Sequence, residues 1–339
     1  MLAPIRFGNR MIGPGHRVIV IAEIGINHEG DAEICARLIE EAAKAGADAI
    51  KLQTNEASEN YVPGTDSHAL FSRAQLSQAD TAKMFELART LSIEPFASPG
   101  DLPTLEWVDR LEPAAHKISS GLLDHLILIK AASKLGRSVL LSTGMADEAQ
   151  VTEGIAAARD GGAKGIGVFQ CTSIYPAPPE TLNLATIGWL EERYGVPAGF
   201  SDHSLGTEAA GLGVAAGARM IEKHFTLDPS RPDFDHRMSV DPAGLAELVG
   251  RVRAVEKMMG QRAKQMASGE RESSDRLRRC LVARRDIAAG AMLTGDDIGV
   301  MRVQPGNKGL LPKLYEEVQG RRVRCDLAKH TPIQEVDLI

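Results

Sequence analysis

The sequence is poor in cysteine, with four among 339 residues. Cys35, Cys171, Cys280 and Cys325 are far apart and form no Cys-x-x-Cys pair. This spacing argues against a zinc knuckle and against a disulfide framework. We therefore expect reduced thiols, and for Cys171 we expect a small buried residue at the end of a strand.

The sequence also lacks long apolar runs and basic stripes. No apolar run approaches the roughly 20 residues of a membrane-spanning helix, and no charged segment followed by an apolar one marks a secretory signal. The formal net charge is −6, with both signs mixed along the chain. We expect a cytoplasmic protein that binds neither membranes nor nucleic acids.

What the sequence does contain is a regular alternation of short apolar runs with longer, alanine-rich segments of helical periodicity. The candidate strands are 18–24, 49–53, 94–98, 115–119, 138–142, 165–170, 198–201 and 219–224. The helices between them include 32–45, 77–91, 124–135, 146–160, 207–216 and 242–259. This alternation is typical of βα units around a parallel sheet, and eight such units in roughly 250 residues predict an α/β protein with a (β/α)8 TIM barrel.

The composition changes after residue 260. Residues 261–278 are rich in charge and serine, which predicts a linker. From 279 to 339 the segments are short and separated by turn signals such as Pro305-Gly306-Asn307, which predicts a small β-rich domain. The expected organisation is a catalytic barrel over 1–260, a linker over 261–278 and a second domain over 279–339.

Two histidines, His203 and His224, stand near the ends of successive candidate strands, where an α/β barrel presents its chemistry. Neutral imidazoles suit a divalent transition metal. Two ligands make a weak site, however, and a histidine at a strand end is often a structural hydrogen-bonding residue. The spacing alone leaves both roles open.

Two lysines, Lys51 and Lys117, stand at other strand ends and could together hold a phosphate or carboxylate group. The two-residue period of a strand puts Lys51 on the same side as Gln53, and Glu222 on the same side as His224. Charged groups inside a barrel are costly to bury without partners, so a ligand is expected at its mouth. Serines at strand ends could add neutral donors or could simply cap the next helix: Ser98, Ser120, Ser142 and Ser201.

Two acids are further candidates. Glu23 lies inside an otherwise apolar first strand and could serve as acid, base or acceptor for a substrate hydroxyl; an ion pair at the bottom of the barrel is the alternative. Asp235 follows a loop that contains Pro232 and could accept hydrogen bonds from a sugar or remain a solvated loop acid.

Specific motifs follow one another along nearly the whole chain: AEIGINHEGD from residue 22, AGADAIKLQT from 45, KISSG from 117, LSTGM from 141, YP at 175, SDHS from 201 and EKHFT from 222. In this order they resemble the sialic acid (N-acetylneuraminate) synthase family. The C-terminal segment, with RRDI from residue 284 and PGN from 305, is similar to the antifreeze-like (SAF) domain of these enzymes.

The resemblance implies a transferase that condenses phosphoenolpyruvate with an open-chain N-acetylated amino sugar, such as N-acetylmannosamine, and releases phosphate. It implies a divalent metal on His203 and His224, manganese or a similar ion such as magnesium or cobalt. It also implies a domain-swapped homodimer in which the SAF domain of one chain covers the barrel of the other.

The resemblance further implies roles for single residues. The catalytic set is Glu23, His203 and His224, and Glu222 is expected among the substrate-binding residues. Phosphoenolpyruvate would be held by Lys51, Ser98, Lys117, Ser120, Ser142 and Ser201. The sugar would be contacted by Glu23, Gln53, Tyr175 and Asp235.

Two sugar-binding positions depart from the family's pattern. Ser173 stands where a sialic acid synthase has Asn, and Gln304 stands where its SAF domain has an Arg before Pro-Gly. An amide does not reproduce a forked, charged donor. A diacetamido sugar that leads to legionaminic or pseudaminic acid is therefore an alternative substrate.

Two other functions stay open at this stage. An aldolase that joins phosphoenolpyruvate to a phosphorylated sugar would need extra cations, and the barrel loops carry no additional arginine cluster. A sugar-binding relative without turnover would not need Glu23, the two lysines and the two histidines together: Glu23, Lys51, Lys117, His203 and His224.

Overall fold

The computed structural model describes residues 2–261 and 263–339. The chain separates into two compact units, Met1–Gly260 and Gln261–Ile339. In the described ranges, no helix has the length and apolar composition needed to cross a membrane.

The first unit is a closed barrel of eight parallel strands, which confirms the predicted fold class. A short antiparallel hairpin, β1 (Ile5–Phe7) and β2 (Arg10–Ile12), comes before it. The barrel strands are β3 (Ile19–Gly25), β4 (Ala49–Thr54), β5 (Glu94–Pro99), β6 (His116–Ile118), β7 (Ser138–Ser142), β8 (Gly165–Cys171), β9 (Ala198–Asp202) and β10 (Met220–His224). Because β10 pairs with β3, the sheet has no free edge.

Helices follow the strands and cover the outside of the barrel. They are α1 (Ala32–Lys44), α2 (Ala57–Asn60), α3 (Asp66–Ala74), α4 (Gln78–Thr90), α5 (Leu102–Asp109), α6 (Leu126–Lys134), α7 (Glu148–Asp160), α8 (Ala185–Tyr194), α9 (Glu208–Ala215) and α10 (Pro242–Met259). Aspartate caps begin several of them; the side chain of Asp31, for example, accepts hydrogen bonds from the main chain of α1. The apolar faces of the helices and the outward side chains of the strands form the two largest buried clusters.

The N-terminal hairpin packs against the bottom of the barrel. Phe7 is fully buried and meets Phe96 edge to face, with ring centroids 5.2 Å apart. Ser138, the first residue of β7, donates a hydrogen bond to the carbonyl of Arg6. The amino-terminal end of the barrel is thus filled by apolar residues, which leaves the carboxyl end for polar side chains.

The second unit is built from short segments around a small apolar core. Its elements are α11 (Glu270–Leu277), β11 (Cys280–Ala283), β12 (Ile298–Met301) and α12 (Tyr315–Val318). β11 and β12 pair antiparallel. Residues 261–278, predicted to be a linker, therefore contain one helix, α11, none of whose residues is buried.

Two segments of this unit repeat one local pattern 40 positions apart (326 − 286). Ile287 and Leu327 exchange two main-chain hydrogen bonds of 2.8 Å. The carboxylates of Asp286 and Asp326 each accept a 2.7 Å hydrogen bond from the main chain of the other segment. Both segments end in a capping box, Thr294 with Asp297 and Gln334 with Asp337.

Candidate functional site

The carboxyl ends of the barrel strands bring the predicted polar residues together at one mouth. The register of β9 and β10 sets Ser201 opposite Glu222 and Asp202 opposite Lys223. Ser201 Oγ donates to Glu222 Oε1 over 3.0 Å inside the barrel. Because side chains alternate along a strand, His203 and His224 lie on this same inner side, and their ring centroids are 5.3 Å apart.

A cluster of four buried charges lies in the barrel interior. Glu222 bridges the two lysines, with Oε2 2.9 Å from Lys51 Nζ and Oε1 3.3 Å from Lys117 Nζ. Lys51 also meets Glu23 Oε2 at 3.4 Å, and Lys117 donates to Ser142 Oγ over 2.7 Å. Each of the four charged residues is at most 3% exposed. The sequence predicted the two lysines as a pair but did not predict that Glu222 lies between them.

The charges in this cluster shift one another's pKa values. Burial alone would raise the pKa of Glu222, but Lys117 and Lys51 hold it well below its usual range. Burial raises the pKa of Glu23 to about 7, although Lys51 opposes this rise. Burial lowers the pKa of Lys117 to about 8, against the attraction of Glu222. Glu222 is thus the permanent anion, while Glu23 and Lys117 can change protonation near neutral pH.

The two histidines fit a divalent cation. His203 Nδ1 lies 2.8 Å from the carbonyl of Thr172, which occupies that nitrogen and leaves Nε2 for a ligand. In the part of the chain that is described, the buried His224 Nδ1 has no hydrogen-bond partner. Burial lowers the pKa of His224 well below its usual value, so its ring is in the neutral, metal-binding form.

Protein ligands for such a cation are few. Within residues 2–261 and 263–339, no group of three or more His, Cys, Asp or Glu side chains is arranged to hold a metal ion. Asp235 Oδ2 comes within 3.7 Å of His224 Nδ1. Two imidazoles would leave most of the coordination sphere to water or substrate.

The predicted sugar-binding residues of the barrel surround this pair. Gln53 Nε2 reaches Glu23 Oε1 at 3.5 Å, and the ring of Tyr175 lies 4.4 Å from that of His203. Tyr175 is more than half exposed, whereas Asp235 is partly buried. Asn27, which the sequence analysis did not identify, holds Asp235 by accepting a 3.0 Å hydrogen bond from its main-chain N–H.

Two buried serine hydroxyls at the mouth are candidates for ligand contacts. Among the described residues, Ser98 Oγ and Ser173 Oγ have no hydrogen-bond partner. Buried polar atoms are almost always satisfied in folded proteins, so these two hydroxyls indicate a polar ligand. They are also both among the predicted substrate-binding residues.

Ser120 lies beside a glycine that the sequence analysis did not identify as part of the site. The main-chain N–H of Gly144 donates to Ser120 Oγ over 3.1 Å. A Cβ on Gly144 would lie 2.2 Å from Ser173 Oγ and 2.7 Å from Ser120 Oγ. Only glycine lets the main chain approach these two serines so closely.

The predictions for Cys171 and Gln304 concern residues outside the cluster of charges and histidines. Cys171 is the buried last residue of β8, as expected, and its Sγ also lies 3.5 Å from Ser120 Oγ and 3.9 Å from His203 Nδ1. Gln304 belongs to the second unit, where it is exposed in the segment after β12. The role of Gln304 at the sugar stays a prediction.

Comparison with known proteins gives matches over both units. The model of the NeuB family matches residues 38–264, and that of the SAF domain matches residues 278–339. The N,N'-diacetyllegionaminic acid synthase of Campylobacter jejuni is 32% identical, over 90% of this chain and 95% of that protein. A pseudaminic acid synthase of the same species is 31% identical, over 95% of this chain and 96% of that protein.

A solved structure matches as well. The N-acetylneuraminic acid synthetase of Leptospira borgpetersenii, crystallised in complex with citrate, is 32% identical. It aligns with 80% of this chain and 95% of its own, with a TM-score of 0.77.

Proposed function

The chain belongs to the NeuB family, and on that premise we propose that it condenses phosphoenolpyruvate with an open-chain N-acetylated amino sugar and releases phosphate. The observation that carries this proposal is the buried Lys51–Glu222–Lys117 cluster beside two facing histidines. An anion cradle next to two imidazoles suits one anionic substrate and one aldehyde.

Lys51 and Lys117 would hold the phosphate and carboxylate of phosphoenolpyruvate, since charge-assisted hydrogen bonds to such groups are strong. Ser98, whose buried hydroxyl has no partner in the part of the chain that the structure describes, would add a neutral donor. Glu222 would keep both ammonium groups oriented toward the pocket, because it contacts each of them. The same lysines would stabilise the phosphate as it leaves.

His203 and His224 would hold a divalent cation, manganese or a similar ion. When bound, such an ion supplies Lewis-acid polarisation of the sugar's aldehyde oxygen. Glu23, with a pKa of about 7, would exchange a proton with a hydroxyl of the sugar. Gln53 would fix the orientation of the Glu23 carboxyl group through the contact at Oε1.

The bond changes are those of an aldol-type condensation followed by hydrolysis. The methylene carbon of phosphoenolpyruvate forms a bond to the aldehyde carbon, whose oxygen becomes a hydroxyl. Water adds at the neighbouring carbon, and the bond from that carbon to the phosphate oxygen breaks. The products are a 2-keto acid and inorganic phosphate, with no net oxidation.

A diacetamido sugar is the second candidate for the acceptor. The relatives named as legionaminic and pseudaminic acid synthases support it. So does Ser173, because its short side chain carries a buried hydroxyl with no partner among the described residues. Such a hydroxyl can form a hydrogen bond with an additional acylamino group of the sugar.

The test is a phosphate-release screen with phosphoenolpyruvate and each of three acceptors: N-acetylmannosamine, diacetamido hexoses and phosphorylated pentoses. We expect release only with an amino sugar and only without chelator. The variant Lys51→Met should be inactive, whereas Lys44→Met, which removes an exposed lysine of α1, should match the wild type. Turnover of phosphorylated sugars alone would refute the substrate class, and full activity in chelator would refute the metal.

A further inference from the structure

A second buried cluster of charges, the ion pair of Lys223 and Asp202, adjoins the two histidines in sequence and lies on the outer face of the same strands. Lys223 Nζ lies 2.9 Å from Asp202 Oδ2, and neither side chain has any solvent exposure. Lys223 also donates to the carbonyl of Ser204. The other oxygen of Asp202 accepts hydrogen bonds from Ser204 N over 2.8 Å and Ser204 Oγ over 2.6 Å.

The ion pair is placed by the strand register. Asp202 immediately precedes His203, Lys223 immediately precedes His224, and the two residues of the pair are opposite each other in the ladder. Successive side chains alternate between the faces of a sheet, so the pair lies outside the barrel while the histidines face inward. His203 is bracketed by Asp202 and Ser204, both of which Lys223 contacts.

Stability alone does not account for this pair. Removing two charges from water costs several kcal/mol per ion, and apolar replacements of a buried pair are often neutral or stabilising. What the pair does supply is a fixed geometry, since each charge has a single set of partners. A site with two protein ligands depends strongly on such support, because no third ligand corrects their separation.

We propose that Lys223 and Asp202 are positioning residues for the cation site, which hold His203 and His224 at a fixed separation without touching the ion. The inference rests on the proposed function, because it presumes that the two histidines bind a cation. It extends that function to residues on the opposite face of the sheet.

The test measures Mn2+ binding to the full chain without substrates, from the loss of the electron paramagnetic resonance signal of free Mn2+. Lys223→Met should weaken Mn2+ binding about tenfold or more, the range seen when the support of a metal ligand is removed. Lys223→Gln keeps a hydrogen-bond donor near Asp202 and should destabilise the fold less than Lys223→Met, so it should weaken Mn2+ binding less. Phosphate release by the Lys223→Gln variant should recover at high Mn2+, with the KM for phosphoenolpyruvate unchanged.

The matched control is another buried ion pair at the opposite end of the barrel. Arg253 contacts Asp48, which precedes β4, and both are largely buried. Both Arg253→Met and Lys223→Met should lower the melting temperature, but Arg253→Met should leave Mn2+ affinity unchanged. An equal loss of affinity in both variants would show that the effect comes from general destabilisation and would overturn the inference.

Histidine variants separate this inference from the proposed function. His203→Ala and His224→Ala should abolish Mn2+ binding. If the wild type did not bind Mn2+, or if these variants bound it normally, the metal assignment itself would fail. If the histidine variants lose binding while Lys223→Met and Lys223→Gln bind as the wild type does, only the positioning role fails.

Discussion

At the scale of single residues, Glu222 decides the electrostatics of the barrel mouth. Without it, Lys51 and Lys117 would be two buried cations with no compensating charge between them. With Glu222 ionised, the second carboxyl group, Glu23, is pushed toward its neutral form by burial. Two carboxyl groups that both contact Lys51 therefore titrate in different pH ranges, Glu222 well below neutrality and Glu23 near pH 7, as general acid–base chemistry requires.

The pKa of Lys117 predicts a limit on activity at alkaline pH. Glu222, Lys51, Glu23 and Cys171 all act on its ammonium group, and burial holds its pKa at about 8. A pKa lowered in the folded protein means that the charge is present below pH 8 and is lost above it. We expect kcat/KM for phosphoenolpyruvate to fall about tenfold per pH unit above that value.

The measurement is a pH–rate profile at saturating sugar. Lys117→Arg, whose charge does not titrate in this range, should remove the alkaline limb even if its absolute rate is lower. An identical limb in both proteins would assign the limb to another group.

Gly144 predicts a packing effect on substrate binding. An added methyl group would collide with the hydroxyls of Ser120 and Ser173. Gly144→Ala should therefore lower kcat/KM by about a hundredfold, the usual cost of moving a reacting group by about 1 Å. Gly250→Ala is the matched control, since no atom of the described residues lies within 4 Å of its added Cβ in α10. The measurements are steady-state rates and melting temperatures of both variants. Equal losses of kcat/KM in Gly144→Ala and Gly250→Ala would contradict a local collision at the site.

At the scale of elements, strands were more predictable than short helices. All eight barrel strands were predicted to within two residues at either end. The barrel helices α2, α3, α5 and α8 were not predicted. Each has ten residues or fewer, and α3 has one buried residue, so none shows a long apolar stripe.

The capping boxes of the second unit predict unequal effects of equivalent mutations. Asp297 accepts hydrogen bonds from Thr294 N at 2.8 Å and Thr294 Oγ1 at 2.6 Å, and it pairs with Arg285. Its counterpart Asp337 accepts from Gln334 N at 2.8 Å and is less buried. Asp297→Ala should cost about 1–2 kcal/mol and Asp337→Ala about 0.5 kcal/mol, measured by thermal unfolding and amide exchange in this unit.

The difference in the free energy of unfolding between the wild type and Asp297→Ala should depend on pH. Hydrogen bonds from Thr294 and the charge of Arg285 lower the pKa of Asp297 to about 2. Because the pKa is lower in the folded state, ionised Asp297 stabilises the folded protein at pH values above its unfolded pKa, near 4. This stabilisation is lost as the pH falls toward 2. The gap in stability should therefore shrink between pH 4 and pH 2, and a constant gap would contradict the assigned contacts.

At the scale of the whole molecule, we propose a homodimer in which the SAF domain of one copy completes the barrel of the other, as the family resemblance implies. Removal of residues 279–339 should then abolish phosphate release. Mixing this truncated chain with full-length Lys51→Met should restore part of the activity, because each supplies what the other lacks. Activity in the truncated chain alone, or no recovery on mixing under conditions where dimers exchange, would contradict this arrangement.

The sequence by itself determined the barrel and the residues at its mouth, because apolar periodicity and strand-end position are local properties of the chain. It predicted Lys51, Lys117, His203 and His224 near carboxyl ends of strands, which in a parallel barrel meet at one face. In the structure, Lys51 is the third of six residues of β4 and Lys117 is the middle residue of β6, so the lysines lie deeper in the barrel than the histidines. Only the tertiary structure decided which of these side chains touch. Glu222 meets lysines from β4 and β6 across the barrel, and Asp202 meets Lys223 through the register of neighbouring strands. Those contacts arise from closure and registration of the sheet, and residues far apart in the chain carry no local signal of either.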